Sequence, residues 1–233
     1  MISVAVAIYK DERYIEEQIR SILPQLSYED EIIVCDDKPG SRSESIVKRL
    51  AAEDSRIIWV EGKGKGRTYN FVHTLRHCRG DKIFVCEQGN VWLPDKVKRV
   101  MEAFGEGADL VLHNAYVADE QLNITDYSLF KRENTKRGVA RNIYKNTFRG
   151  CCMAFDRKML KRIMPIPKNI PGYDQWVGLI CEIYGKVKLI DIPLMYFRDI
   201  SGEREALELS SKKRFSKKSF IITKLYKRVF LGG

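Results

Sequence analysis

The sequence predicts an α/β protein: a mostly parallel central sheet flanked by helices. Three observations carry that prediction. Apolar runs alternate with segments of helical period through residues 1–90. The runs are apolar throughout rather than at every second residue, as strands buried on both faces are. Each run also ends in a polar or glycine-rich turn. With 233 residues and 44% hydrophobic content, the chain can bury a sizeable core.

In order, Ile2–Ile8 is the first strand, and Tyr14, Ile15, Ile19, Ile22, Leu23 and Leu26 then recur at helical spacing. Glu31–Cys35 is the second strand, closed by Asp36-Asp37-Lys38-Pro39-Gly40. Ser43–Glu53 is a helix with Ile46, Val47 and Leu50 on one face. Arg56–Val60 is the third strand, followed by Gly62-Lys63-Gly64-Lys65-Gly66 and a helix over Arg67–Cys78. Lys82–Cys86 is the fourth strand, ending in Glu87-Gln88-Gly89-Asn90. Beyond it, Pro94–Phe104 reads as a helix and Asp109–His113 as a strand. Residues 114–142 read as a long polar, mobile loop. Phe148–Phe155 is a strand, Arg157–Ile163 a helix, Pro165–Gly172 a turn, Asp174–Tyr184 a helix and Lys186–Ile190 a strand. The organisation is one domain over residues 1–205, with a nucleotide-binding half (1–90) and an acceptor half (91–205), and a basic helical tail over 206–233.

No apolar run approaches the roughly 18–20 residues of a membrane span. The opening run lacks the basic region and cleavage site of a signal peptide, so a cytoplasmic location is expected. The six cysteines show no Cys-x-x-Cys spacing and read as buried reduced thiols. His73 and His77 lie four apart on a helix, but no third metal ligand is evident, and a helix face explains them. The formal charge is +10, and from Leu209 onward eight basic residues occur with no acidic one. Phe215, Ile222, Leu225, Tyr226 and Val229 recur among those lysines at helical spacing. That pattern is either an amphipathic helix lying on an anionic membrane surface or a solvated terminus. No nucleic-acid-binding module accompanies the charge, and no nucleic-acid partner is expected.

In a parallel sheet of this kind ligands collect beyond the carboxyl ends of the strands. Those ends carry Tyr9, Asp36-Asp37, the Gly/Lys loop and Glu87-Gln88. Tyr9 offers a flat face for a nucleotide base, and a carboxylate of Asp36 or Asp37 can accept an imide N–H. The same Asp-Asp-x-Pro-Gly sequence also makes an ordinary turn and helix cap. The glycine-lysine loop fits neither phosphate-loop template, and reads either as a diphosphate cradle or as a mobile surface loop. Arg67 has the planar fork to engage two phosphate oxygens.

Several ordered segments together resemble the inverting family-2 glycosyltransferases of the GT-A fold, of the bacterial surface-polysaccharide type. They are the Ile2–Gln25 opening, Ile33-Val34-Cys35-Asp36-Asp37, Gly66-Arg67-Thr68-Tyr69-Asn70-Phe71, Trp92-Leu93-Pro94-Asp95-Lys96, Gly150–Phe155, Asp174-x-Trp176 and Tyr196-Phe197-Arg198 with Ser201-Gly202. The resemblance implies transfer of a sugar from a nucleoside-diphosphate sugar to a hydroxyl of a glycan or lipid-linked glycan acceptor, with inversion. It implies donor contacts at Ala7, Tyr9, Asp36, Asp37, Gly66, Arg67, Asn70, Glu87 and Gln88. Asp174 becomes the general base, although an aspartate there also suits a helix N-cap. Trp92 and Trp176 become acceptor contacts, or else core residues. A lipid-linked acceptor suits a protein peripheral on the inner face of the plasma membrane.

One departure stands out. Family members carry an Asp-x-Asp whose carboxylates hold Mg²⁺ or Mn²⁺ on the donor diphosphate. Here Gly89 and Asn90 replace the expected carboxylates, leaving Glu87 as the remaining metal candidate. Three outcomes follow: a weak-metal enzyme, a metal-independent enzyme relying on Arg67 and lysines, or a glycosyltransferase-like binding or scaffold protein that has lost catalysis.

Overall fold

The computed structural model describes residues 1–8, 13–38, 40–199 and 211–231, with backbone only for 211–215. Tyr9, Pro39, Ser201 and Gly202 lie outside the described residues. The first half alternates as expected: β1 (Ile2–Ile8), α1 (Ile15–Ile22), β2 (Glu31–Asp36), α2 (Arg42–Glu53), β3 (Ile57–Glu61), α3 (Arg67–His77) and β4 (Lys82–Glu87). These are followed by β5 (Val91–Trp92), α4 (Lys96–Gly105), β6 (Leu110–Ala118), β7 (Ile124–Asp126), α5 (Leu129–Glu133) and α6 (Val139–Tyr144). The chain continues through β8 (Met153–Asp156), α7 (Leu160–Ile163), α8 (Tyr173–Tyr184), β9 (Val187–Arg198) and α9 (Ser211–Phe230).

Among the described residues, the nine strands form one sheet, ordered β3-β2-β1-β4-β8-β6-β9-β5, with β7 paired to β6. β3, β2, β1 and β4 are mutually parallel. Beyond β4 the sheet is mixed, because β8 runs antiparallel to both β4 and β6 while β9 runs parallel to β6. Alternate side chains feed two cores, one on each face. Val4, Val6, Ile8, Phe84 and Cys86 meet the buried faces of α1, α2 and α4. Ala5, Ile33, Cys35, Ile83 and Val85 meet α3, α8 and α9. Burial on both faces is why the strands read as continuous apolar runs. All six cysteines are free and buried.

The structure corrects the sequence reading in three places. Residues 114–142 are not a loop: β6 continues to Ala118, and β7, α5 and most of α6 follow. The polar side chains there bond inward. The Asn114 amide donates to Ser128 and Asp191, both at 2.8 Å, and its carbonyl oxygen accepts from the Phe130 amide at 2.9 Å. Phe148–Phe155 is not one strand, since Gly150–Cys152 forms a 3₁₀ turn before β8. The final strand runs to Arg198, well past Ile190, because it pairs with the full length of β6.

Lys96, in the first turn of α4, is fully buried. Its ammonium lies 4.0 Å from the centre of the Trp92 ring and donates to the Cys151 carbonyl at 3.3 Å. Burial lowers its pKa to about 8. A folded pKa below the unfolded value near 10.5 costs stability at pH 7, and the cost fades as pH rises from 8 through 10.5. Lys96→Met should therefore raise the thermal midpoint at pH 7, by roughly 1–3 kcal/mol of unfolding free energy. The gain should shrink at pH 9.5. Thermal denaturation followed by circular dichroism checks both, and an equal or opposite effect at the two pH values contradicts the assignment.

Candidate active site

The site exists because four parallel strands end together. Ala7 on β1 is in register with Cys35 on β2 and Glu87 on β4, and Asp36 faces Glu61 on β3. The turns beyond these pairings share one rim of the sheet.

Asp36 and Asp37 organise the rim from beneath, and both are buried. Asp36 accepts from the Lys38 amide at 2.9 Å and from the Ser41 hydroxyl, closing the turn into α2. Asp37 accepts from the amides of Lys65 and Gly66 at 3.0 and 2.6 Å, which ties the glycine-lysine loop to β2. The close approach of loop and strand requires glycine at 62, where a Cβ would lie 2.0 Å from the Asp36 carbonyl oxygen. Gly66, with φ +92°, starts α3 and brings Arg67 to the rim.

Asn70 needs correction. It is 1% exposed, and its amide donates to the carbonyls of Ile8 and Cys35, both at 2.9 Å. It ties the ends of β1 and β2 to α3 instead of meeting a donor directly. Ala7 and Gln88 are half-buried at the same rim. Tyr9, the expected base platform, lies outside the described residues.

The acidic centre lies between β4 and the start of α8. Oε1 of Glu87 accepts from the Tyr173 hydroxyl at 2.5 Å and from Nη2 of Arg67 at 3.0 Å. The Tyr173 ring stacks on Phe71 of α3, with centroids 3.7 Å apart. Gly150 leaves room for that ring, since a Cβ there would lie 2.4 Å from the tyrosine oxygen. Asp174 follows in the first turn of α8. The cap position belongs to Gly172, so the N-cap alternative for Asp174 does not hold. Its Oδ1 accepts from the Gln175 amide at 2.7 Å and lies 3.5 Å from Nδ2 of Asn146. Burial, reinforced by the negative charge of Glu87, pushes the Asp174 carboxyl up to about 6, while Arg149 and the Gln175 amide oppose the rise. Arg149 is itself anchored to Glu133 at 2.8 Å.

The Glu87–Asn90 turn is held from below by Arg198. This buried guanidinium donates from Nε to the Gly89 carbonyl at 2.9 Å and from Nη2 to Glu17 at 2.6 Å. It also lies 4.0 Å from the centre of the Tyr14 ring. Asn90 is buried, donating to the Glu87 carbonyl at 3.1 Å and accepting from the Arg198 amide at 3.2 Å. Among the described residues, no group of three or more His, Cys, Asp and Glu side chains is placed to hold a metal ion.

The two tryptophans are also corrected. Trp176 is 1% exposed and donates its indole N–H to the Ile163 carbonyl at 2.9 Å. Trp92 is 3% exposed, packed between Phe84 and Lys96. Neither presents a ring face to an acceptor. Tyr173, Asn146, Arg149 and Arg198 are the site residues that sequence reasoning did not assign. Tyr173 borders the expected base and Arg149 borders Gly150, whereas Asn146 carries no local signal.

Comparison with known proteins agrees with this architecture. The profile described as glycosyl transferase family 2 matches residues 3–164. An uncharacterised glycosyltransferase of Nostoc sp. is 24% identical over 90% of this chain and 68% of its own length. An uncharacterised glycosyltransferase of Methanocaldococcus jannaschii is 26% identical over 93% of this chain and 77% of its own. Among solved structures, S. aureus TarS residues 1–349 in complex with UDP-GlcNAc superposes with a TM-score of 0.75 at 18% identity, covering 97% of this chain and 66% of that one. The Pyrobaculum calidifontis mannosyltransferase PcManGT, in complex with GDP-Man and Mn²⁺, gives 0.69 at 16% identity, covering 96% and 64%. The chain thus spans about two thirds of these solved structures. A family-wide match over most of the chain, together with the shared architecture, places this protein in glycosyl transferase family 2, with the GT-A fold.

Proposed function

We propose that the protein transfers a sugar from a nucleoside-diphosphate sugar to a hydroxyl of a glycan or lipid-linked glycan, inverting the anomeric centre. One observation carries this reading: two carboxylates at one rim sit in opposite environments. Glu87 is paired with Arg67, whereas Asp174 is pushed up to about 6 by burial and by Glu87. An arginine-paired carboxylate and a buried one with a raised pKa suit different roles in one site. The acceptor oxygen attacks the anomeric carbon as its proton passes to Asp174. The bond from that carbon to the diphosphate breaks, and the electron pair leaves with the phosphate. A base titrating near 6 is largely ionised at pH 7 yet holds a proton better than an ordinary carboxylate. The neighbours solved with UDP-GlcNAc and with GDP-Man support a nucleotide-sugar donor.

The residues do not fit a divalent cation held by protein carboxylates. Glu87 is already engaged by Arg67 and Tyr173, Gly89 has no side chain, and Asn90 is spent on the turn. In this reading Arg67 supplies the positive charge that the leaving diphosphate needs. Asp36 and Asp37 hold the loops around the nucleotide. The rival reading, a scaffold without catalysis, draws on the same Gly89 turn.

Calorimetry with UDP-GlcNAc and GDP-Man separates the readings. At least one should bind in EDTA with an affinity within about threefold of that in Mn²⁺, and Arg67→Met should weaken it by about tenfold or more. Binding of neither, with or without Mn²⁺, favours the scaffold. Binding in Mn²⁺ alone contradicts the metal-independent reading.

Asp174→Asn should cut turnover by about 10²–10⁴-fold with donor affinity unchanged, and the wild-type rate should climb with pH up to about 6 and then level. Unchanged turnover removes Asp174 from the chemistry. The raised folded pKa also costs stability as pH rises from 3.8 through about 6. The asparagine variant should therefore be more stable than wild type at pH 8, by roughly 1–3 kcal/mol, and the difference should close near pH 4.

A further inference from the structure

The basic tail helix α9 presents two faces of different character. One is docked on the body. Ile221 and Leu225 are buried, and Arg228 donates to the carbonyls of Arg162, Met164 and Pro165 at 2.5, 3.1 and 2.6 Å. These residues lie within a narrow arc of the helix. The adjoining face is apolar and open. Ile222, Tyr226 and Phe230 recur every fourth residue and are 51%, 56% and 70% exposed, with Leu231 at 65%. Tyr226 and Phe230 touch, their centroids 5.1 Å apart. Tyr144 of α6 is 75% exposed, with the Lys218 ammonium 3.8 Å from its ring centre.

A solvated helix has no use for such a stripe, and a contiguous exposed apolar patch marks an interaction surface. Its surroundings identify the partner. Residues 211–230 carry eight basic side chains and no acidic one. We propose that α9 and the Tyr144 edge of α6 form a docking surface for an anionic lipid bilayer. Ile222, Tyr226, Phe230 and Leu231 enter the headgroup–acyl boundary, and Lys218 and Lys227, which flank the stripe on the helix, neutralise lipid phosphates. Charge decides against a second copy of this chain, because two such surfaces would oppose basic side chains with no acidic partner. Docking through Ile221, Leu225 and Arg228 fixes the helix on the body, so binding orients the whole molecule. The chain passes from Tyr144 to Asn146, whose amide faces Asp174 at 3.5 Å. The lipid-facing edge therefore lies close in the chain to a neighbour of Asp174, a link that rests on the proposed function. Among the described residues no helix is long and apolar enough to cross a membrane, so binding is at the surface.

The test is co-sedimentation of the full chain with phosphatidylcholine vesicles, with and without phosphatidylglycerol, and needs no donor sugar. Wild-type protein should partition onto the anionic vesicles and not onto the neutral ones, and added salt should weaken it. The triple change Ile222→Ser, Tyr226→Ser and Phe230→Ser keeps the charge. The double change Lys218→Gln and Lys227→Gln keeps the stripe. Each should reduce partitioning by about tenfold or more, with circular dichroism unchanged. Equal binding to both vesicle types, binding indifferent to both variants, or a concentration-dependent dimer lost in the serine variant with no vesicle binding would overturn the proposal. So would tighter binding to an oligonucleotide than to anionic vesicles.

Discussion

Three segments far apart in sequence meet at a single oxygen. Oε1 of Glu87, at the end of β4, takes a hydrogen bond from Arg67 at the start of α3 and another from Tyr173 at the start of α8. Charge-assisted bonds of this kind are short and directional, and they strengthen where water is excluded. The tyrosine cannot shift independently, because its ring is stacked on Phe71 and its oxygen fits against Gly150. Asp174 is the next residue along α8, so fixing Tyr173 fixes the carboxyl that titrates near 6. The rest of the site is arranged around this junction. Asp37 sets where the glycine-lysine loop delivers Arg67, and Arg198 sets where the turn after β4 delivers Glu87.

The same junction explains the sequence at the Glu87–Asn90 turn. In a turn that must gather cations, a carboxylate at position 89 would face phosphate. Here a glycine carbonyl faces inward to Arg198, and the adjacent asparagine is consumed by backbone groups. Gly89 and Asn90 form the buried, bonded base of the turn, and the Glu87 charge is answered by an arginine. In the proposed reading, Arg67 carries the positive charge that a dissociable ion would otherwise supply.

The fold was legible where its physics is local. Buried parallel strands announce themselves as apolar runs, and Ile15, Ile19 and Ile22 fall on one buried helix face. The loops at the strand ends could be found because parallel strands finish on the same side. What sequence could not reveal was where polar side chains point. Asn114 and Ser128 read as loop residues because the hydrogen bonds of Asn114 to Ser128 and to Asp191 span long sequence separations. Trp92 and Trp176 suit a sugar-binding face by residue type, yet hydrophobic burial claims both. Tyr173 and Arg149 take their roles from partners that adjoin them only after folding. Asp174 was recognisable from its motif, but its raised pKa depends on burial and on Glu87, which the chain separates by more than eighty residues.

The central claim is that separate loops form one pocket for a charged nucleotide. Hydrogen–deuterium exchange with and without a saturating nucleotide sugar tests it directly, because it reads every segment at once. The account predicts that protection rises together in residues 36–38, 62–67, 87–90 and 172–175, with the strands behind them unchanged. Protection confined to one of these segments, or appearing on an unrelated face, would contradict it.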